Sequence, residues 1–241
     1  MTDGLVLIHA FPLDARMWEA QRLGQHTIAP DLPGFGMAPA GGPTMTMADA
    51  AARCLQAADT AGLDRFVVCG LSMGGYVAFE LWRTARARIG GLVLANTRAG
   101  ADTPEAAEGR RELAARLRAE GNFLSVAPPP LLAADAPVRL QERVRGWISD
   151  QTAVAIAAAA EGMAARVDST PDLPGIDVPT LVITGEGDRL IPPEVSSPMA
   201  DAIPGARLEI VRAAGHLTNV EAPDRFTRLL HGHLADCGVE P

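Results

Sequence analysis

The sequence predicts an α/β fold built on a mostly parallel sheet of about six strands. Three observations carry this. Apolar runs of only four or five residues recur along the chain, each bounded by turn residues. Helix-length segments with one apolar side separate them. A glycine-rich turn directly follows one of these runs and opens a helix. Apolar runs this short, without polar alternation, mark strands buried on both faces. Strands that alternate with helices pair in parallel through right-handed crossovers.

The elements follow in order. Residues 5–8 form the first apolar run, which stops at His9-Ala10-Phe11-Pro12. Residues 27–29 form a weaker run before Pro30-Asp31-Leu32-Pro33-Gly34-Phe35-Gly36. Residues 47–61 read as a helix closed by Gly62. Residues 66–69 form the next run, followed at once by Gly70-Leu71-Ser72-Met73-Gly74-Gly75 and a helix over about residues 76–87. Runs at 91–95, 180–184 and 207–211 complete six strands. Residues 100–174 interrupt the alternation with alanine-, arginine- and glutamate-rich helical segments at 104–120, 137–149 and 152–166. Pro128-Pro129-Pro130 breaks the chain direction between two of them. Connections in such folds usually take about two to six residues. The expected organisation is therefore a core of residues 1–99 and 175–241 carrying a helical cap at 100–174.

Composition excludes several function classes. The 241 residues suffice for one large domain with an insertion. The 29 acidic and 21 basic residues leave a net charge of −8, which offers no general basic field for nucleic acid. All basic residues are arginine, which rules out a lysine Schiff base and a Walker-type phosphate lysine and suits a G+C-rich bacterial genome. Aromatic residues are only 4%, so the core must be mostly Ala, Val, Leu and Ile. Cys54, Cys69 and Cys237 are odd in number and far apart, against a disulfide framework or a thiolate metal cluster. No apolar run reaches the roughly 18 residues of a membrane span. Residues 1–4 carry an acid and no base, unlike a signal peptide. Composition leads to the expectation of a soluble cytoplasmic domain of enzyme size that binds neither nucleic acid nor membrane; the serine chemistry that follows needs a small-molecule substrate and no metal or organic cofactor.

The chemistry concentrates at Gly70-Leu71-Ser72-Met73-Gly74. A serine on a tight strand-to-helix turn is forced into a strained backbone conformation with its Oγ exposed above the sheet. The flanking glycines are required because no Cβ fits beside such a turn. The helix that follows aims its N–H groups at a reacting carbonyl. A serine hydroxyl needs a base. Of the five histidines, only His216 lies in a loop just after the last strand, where parallel-sheet sites form. His231 and His233 read as a solvated face of the last helix, and His26 as a surface loop residue. Asp188 lies beyond the 180–184 strand and is the candidate for the orienting acid, ahead of Glu186 and Asp177. The chain order Ser72, Asp188, His216 is the order this strained-turn arrangement uses.

These features together resemble the α/β-hydrolase fold superfamily, in its small esterase, enol-lactonase and C–C hydrolase branch. The resemblance covers nearly the whole chain. It rests on residues 7–12, on Asp31 to Gly36, on the serine turn, on Gly185 to Asp188 with Pro192, and on Ala214-Gly215-His216. It implies a three-layer α/β-hydrolase fold. It also implies a catalytic triad of Ser72, His216 and Asp188, with an oxyanion hole from the backbone N–H groups of Phe11 and Met73. His9 is expected to shape its loop rather than to catalyse. Two departures are present. Ala10 stands where the family usually has glycine. The two further N-terminal strands of the family are not expected, leaving a minimal sheet of six whose open edge a second copy could cover. The protein is expected to be a monomer or homodimer.

The function this implies is hydrolysis of carboxylic esters of small to medium size through an acyl-enzyme. Enol-lactone, C–C bond and thioester hydrolysis use the same triad in families that this chain resembles. Haloalkane dehalogenases and epoxide hydrolases are disfavoured, because they place an aspartate where Ser72 stands. A third reading, a ligand-binding protein on a hydrolase scaffold, is disfavoured by the presence of all three triad residues. Tyr76, Trp147, Leu190 and Leu217 are candidates to line the substrate pocket. Arg98 and Arg189 could read a substrate carboxylate.

Overall fold

The computed structural model describes residues 2–21 and 23–239. Met1, part of the 1–4 segment considered above, lies outside the described residues. Six strands form one sheet: β1 (Asp3–Ile8), β2 (Thr27–Ile28), β3 (Arg65–Leu71), β4 (Ile89–Ala95), β5 (Thr180–Gly185) and β6 (Arg207–Val211). Their order is β2-β1-β3-β4-β5-β6 and every pairing is parallel. All six expected strands are present. The central strands β3, β4 and β5 are buried almost throughout, which is why they read as unbroken apolar runs.

The strand order reverses between β1 and β3. From β1 the chain moves outward to β2, then crosses back to β3 and continues the other way. Right-handed crossovers therefore send helices to opposite faces. On one face α1 (Met47–Thr60) packs against α2 (Met73–Ala85). On the other, the 3-10 segment Ala15–Gln21 packs against α9 (Pro223–Asp236), with Trp18 and Phe226 rings 5.8 Å apart. The crevice at the switch opens beyond the C-terminal ends of β1 and β3, where ligands bind in open α/β sheets. Phe11 and Ser72 lie there.

Local sequence explains the element ends. Thr46 caps α1 by accepting from the Asp49 N–H while the Asp49 side chain accepts from the Thr46 N–H. Helix α2 starts at Met73, three residues before the expected start. Gly74 and Gly75 are helical because the turn delivers them straight against the sheet. A Cβ at Gly74 would collide with the Ile8 carbonyl, and one at Gly75 with Thr97.

Between β4 and β5 lie α3 (Pro104–Glu120), α4 (Val138–Ser149) and α5 (Ala153–Ala164), at the expected positions. Thr103 caps α3 and Thr152 caps α5. Helices α3 and α5 pack against each other. The short helices α6 (Pro193–Ser196) and α7 (Pro198–Ala202) follow β5, and α8 (Thr218–Glu221) precedes α9. Among the described residues, no helix is long and apolar enough to cross a membrane.

One expectation about the last helix is overturned. His231 is exposed, but His233 is buried, with its Nε2 3.6 Å from Cys237 Sγ. Helix α9 turns the side of His233, Leu230 and Leu234 toward the sheet. Burial pulls the His233 imidazole down to about 4.

Candidate active site

Ser72 sits at the junction of β3 and α2 with φ 56° and ψ −113°. A non-glycine residue in that region is strained and persists only where the surroundings enforce it. Here the Ser72 N–H donates to the Ala95 carbonyl at 2.9 Å, and its carbonyl accepts from Thr97 Oγ1 at 2.8 Å and from the Gly75 N–H at 2.9 Å. Gly70 completes the turn, since a Cβ there would meet the Gly74 carbonyl. Ser72 occupies the N-cap position of α2, yet its side chain makes no capping hydrogen bond. The hydroxyl is thus left available for chemistry.

His216 is buried in the loop after β6. Its Nδ1 lies 2.8 Å from Asp188 Oδ2, so the other ring nitrogen, Nε2, is the one available to a substrate or nucleophile. Asp188 is held from both sides. Its Oδ1 accepts from the Leu190 and Ile191 N–H groups at 2.9 and 3.0 Å. Its Oδ2 also accepts from the Asn96 side-chain amide at 2.9 Å. Burial by itself would raise the Asp188 carboxyl. The bond and charge of His216, with the Ile191 and Asn96 donors, outweigh it and hold the group below the usual carboxylate range.

Two residues at the site were not foreseen from the sequence. Asn96 follows β4 with φ 46°, donates to Asp188 and to the Gly215 carbonyl, and accepts from Thr218 Oγ1 at 2.7 Å. A polar Asn-Thr pair ending an otherwise apolar strand was the available signal. Glu221 lies in α8. Its Oε1 accepts from the Ala133 N–H and its Oε2 from the Gly215 N–H, both at 2.8 Å. Burial raises its carboxyl, opposed by those two donors. Together with the Leu217 N–H donating to the Leu131 carbonyl at 3.0 Å, Glu221 ties the 131–133 segment to the His216 loop. Ser72, Asn96 and Ala213 are the non-glycine residues with positive φ among those described, and all three follow strand ends around the site.

Ser72 and His216 line one cavity of about 250 Å³, together with Phe11, Tyr76 and Leu190 of the expected residues. Met73 is the first residue of α2, where a backbone N–H has no partner within its own helix. Trp147 and Leu217 are not among the residues lining this cavity. Trp147 packs into the core from α4, and Leu217 is fully buried beneath the His216 loop. Arg98 lines the cavity, whereas Arg189 lines a neighbouring one that shares the Pro129 and Leu131 wall. His9 is buried and bridges two loops. Its Nε2 accepts from the Leu32 N–H at 3.0 Å, and Nδ1 donates to the Ala10 carbonyl at 3.1 Å. Burial lowers its imidazole, so it is neutral at pH 7.

A strained serine, a histidine and a buried aspartate at three strand ends can perform nucleophilic acyl transfer. Comparison with known proteins gives the family and finds hydrolases among its relatives. The model of the alpha/beta hydrolase family matches residues 5–229. The solved structure of a thermophilic esterase from Thermogutta terrifontis, with malate bound, is 38% identical at a TM-score of 0.93. The match covers 98% of this chain and 90% of that one. A 2-hydroxymuconate semialdehyde hydrolase of Pseudomonas putida is 28% identical, over 88% of this chain and 78% of its own. An epoxide hydrolase of Mycobacterium tuberculosis, EphH, is 31% identical, over 74% of this chain and 90% of its own.

Proposed function

This chain belongs to the alpha/beta hydrolase family, and from that premise we propose that it is a serine hydrolase of carboxylic esters. One observation carries the reading. Ser72 is held in a strained turn, with its hydroxyl spared from capping, in the same cavity as a histidine whose far nitrogen bonds Asp188. Ser72 Oγ attacks the ester carbonyl while His216 Nε2 takes its proton. Asp188 fixes the tautomer and stabilises the imidazolium. The Phe11 and Met73 N–H groups receive the oxyanion, a contribution of several kcal/mol. His216 then protonates the leaving alcohol and activates a water that releases the acid.

Residues 100–174 act as a cap over this site in the same reading. The cavity takes Leu113 from α3 and Leu131 from the segment after it. Its volume of about 250 Å³ lies just below the roughly 300 Å³ at which ligand pockets usually begin, which favours short acyl groups. Lactone, thioester and C–C substrates remain the alternatives, because fold and triad do not choose among them. Epoxide opening is not carried over from the relative of that name, because Ser72 stands where an aspartate nucleophile would be required. We assign the enzyme to the cytoplasm, as a monomer or homodimer that sedimentation would distinguish.

The test is hydrolysis of p-nitrophenyl esters from acetate to decanoate by wild type and Ser72→Ala. The expected loss in kcat is on the order of 10⁴-fold, with an optimum at short chains. Equal activity of the two proteins would refute the assignment of Ser72.

A further inference from the structure

The cavity that holds Ser72 carries two arginines and, among its lining residues, no acid. Arg98 follows β4 and Arg110 lies on α3. Both reach the same carboxylate: Arg98 Nη2 lies 2.5 Å from Asp102 Oδ1, and Arg110 Nε lies 2.6 Å from Asp102 Oδ2. Asp102 is fully buried at its side chain, and a third arginine, Arg166, is 2.9 Å from Oδ2. Burial opposes its ionisation, but Arg110 and Arg166 hold the carboxyl below its ordinary range. One anion thus faces three guanidinium groups.

Arg166 is already committed to the structure. Its Nη1 donates to the Met163 carbonyl and its Nη2 to the Gly100 carbonyl, and its guanidinium lies 4.1 Å from the centre of the Tyr76 ring. It is the cation that Asp102 neutralises behind Tyr76. Arg98 and Arg110 are different. Arg98 gives Asp102 one hydrogen bond, and its buried Nε has no partner. Arg110 gives Asp102 its Nε and makes a weak 3.6 Å contact from Nη1 to Met163 Sδ. A guanidinium has five donors in a fixed fork. Among the described residues three of these ten have a partner, in a cavity whose wall includes Leu113, Leu131, Met163 and Ile191. Two partly desolvated cations beside apolar walls, in a chain of net charge −8, call for an anion.

We infer that Arg98 and Arg110 form a carboxylate subsite inside the cavity of Ser72, so that the substrate is an ester bearing a free carboxylate. The inference rests on the serine-hydrolase reading for the word ester, but the subsite itself does not. Asp102 aligns the two forks, and a planar carboxylate is the anion that such forks match.

Calorimetric titration tests the subsite without any turnover. Wild type and Ser72→Ala are titrated with succinate, glutarate and adipate, and with the uncharged diamides of the same lengths. At least one dicarboxylate should bind about tenfold or more tightly than its diamide. Arg98→Gln and Arg110→Gln should each weaken it about tenfold, Arg110→Lys should weaken it less than Arg110→Gln, and Arg189→Gln should leave it unchanged. Equal binding of acid and diamide by wild type, or binding of neither, overturns the subsite even if the arginine variants fail to fold. Loss of binding in Arg189→Gln alone moves the anion to the neighbouring cavity and overturns it as well. Binding without any ester turnover would sink the hydrolase reading and leave the subsite standing.

Discussion

The Asn96 side-chain amide donates to Asp188 at 2.9 Å, on the same carboxylate oxygen that faces His216 Nδ1 at 2.8 Å. Asn96 in turn is fixed by Thr218, two residues beyond His216 in the chain. The acid and the base are therefore positioned by one closed set of bonds rather than by a single pair. Asn96→Gly removes the amide while tolerating the positive φ at that position. A lost charge-assisted hydrogen bond of about 1.5 kcal/mol corresponds to roughly a tenfold fall in kcat. Asn96→Asp should fall further, because a second carboxylate raises the Asp188 pKa by like charge. Steady-state kinetics of the two variants against wild type gives the order, and the reverse order would remove Asn96 from this role.

Backbone strain at Ser72 makes a second expectation. Ser72→Gly relieves a conformation that costs a side-chain-bearing residue on the order of 1–3 kcal/mol, less the extra unfolded-state freedom of glycine. A net gain of about 1 kcal/mol raises Tm by roughly 2–4 °C while activity is lost. Calorimetry of the variant reads this directly. A lower Tm would mean that the turn is relaxed with serine in place.

How much of this was legible in the sequence follows from the range of each interaction. The strands and the serine turn are set by local pattern, and each of them stands where its residues indicated. Asp188 and His216 could be placed because each follows a strand end in a short loop. Asn96 and Glu221 could not, because their partners lie 92 and 88 residues away, at Asp188 and Ala133. His233 reads as solvated in the sequence and is buried in the fold, because proximity to the terminus says nothing about which side of α9 meets the sheet. Trp147 was a candidate for the pocket through its place in the 100–174 segment, but α4 turns it into the core.

Glu221 provides a third expectation. Glu221→Ala strands the Ala133 and Gly215 N–H groups that its carboxylate now accepts. Each buried orphan costs about 1–3 kcal/mol, so urea denaturation should show a loss of a few kcal/mol. Because Gly215 precedes His216, kcat should fall together with stability. Full stability with full activity would mean that water replaces the carboxylate.

Acid stability depends on His233. Burial first, and then the Arg207 charge, lowers its imidazole to about 4, against 6.5 for an ordinary histidine. As pH falls, the unfolded chain takes up the proton before the folded one, so stability is lost between about pH 6.5 and 4. The difference amounts to about 3 kcal/mol. His9, also lowered by burial, acts in the same direction. His233→Leu should therefore flatten the fall in the urea midpoint between pH 7 and 4. Parallel curves for wild type and variant would show that His233 is not protonation-sensitive.

Ser72 is proposed as the nucleophile activated by His216. The most direct test is covalent trapping with a fluorophosphonate, followed by peptide mass spectrometry, on wild type and His216→Ala. The expected result is a single adduct on the peptide containing Ser72 in wild type, formed in step with loss of esterase activity, and labelling slowed by orders of magnitude in His216→Ala. An adduct on another residue, or complete labelling of Ser72 with activity retained, would contradict it.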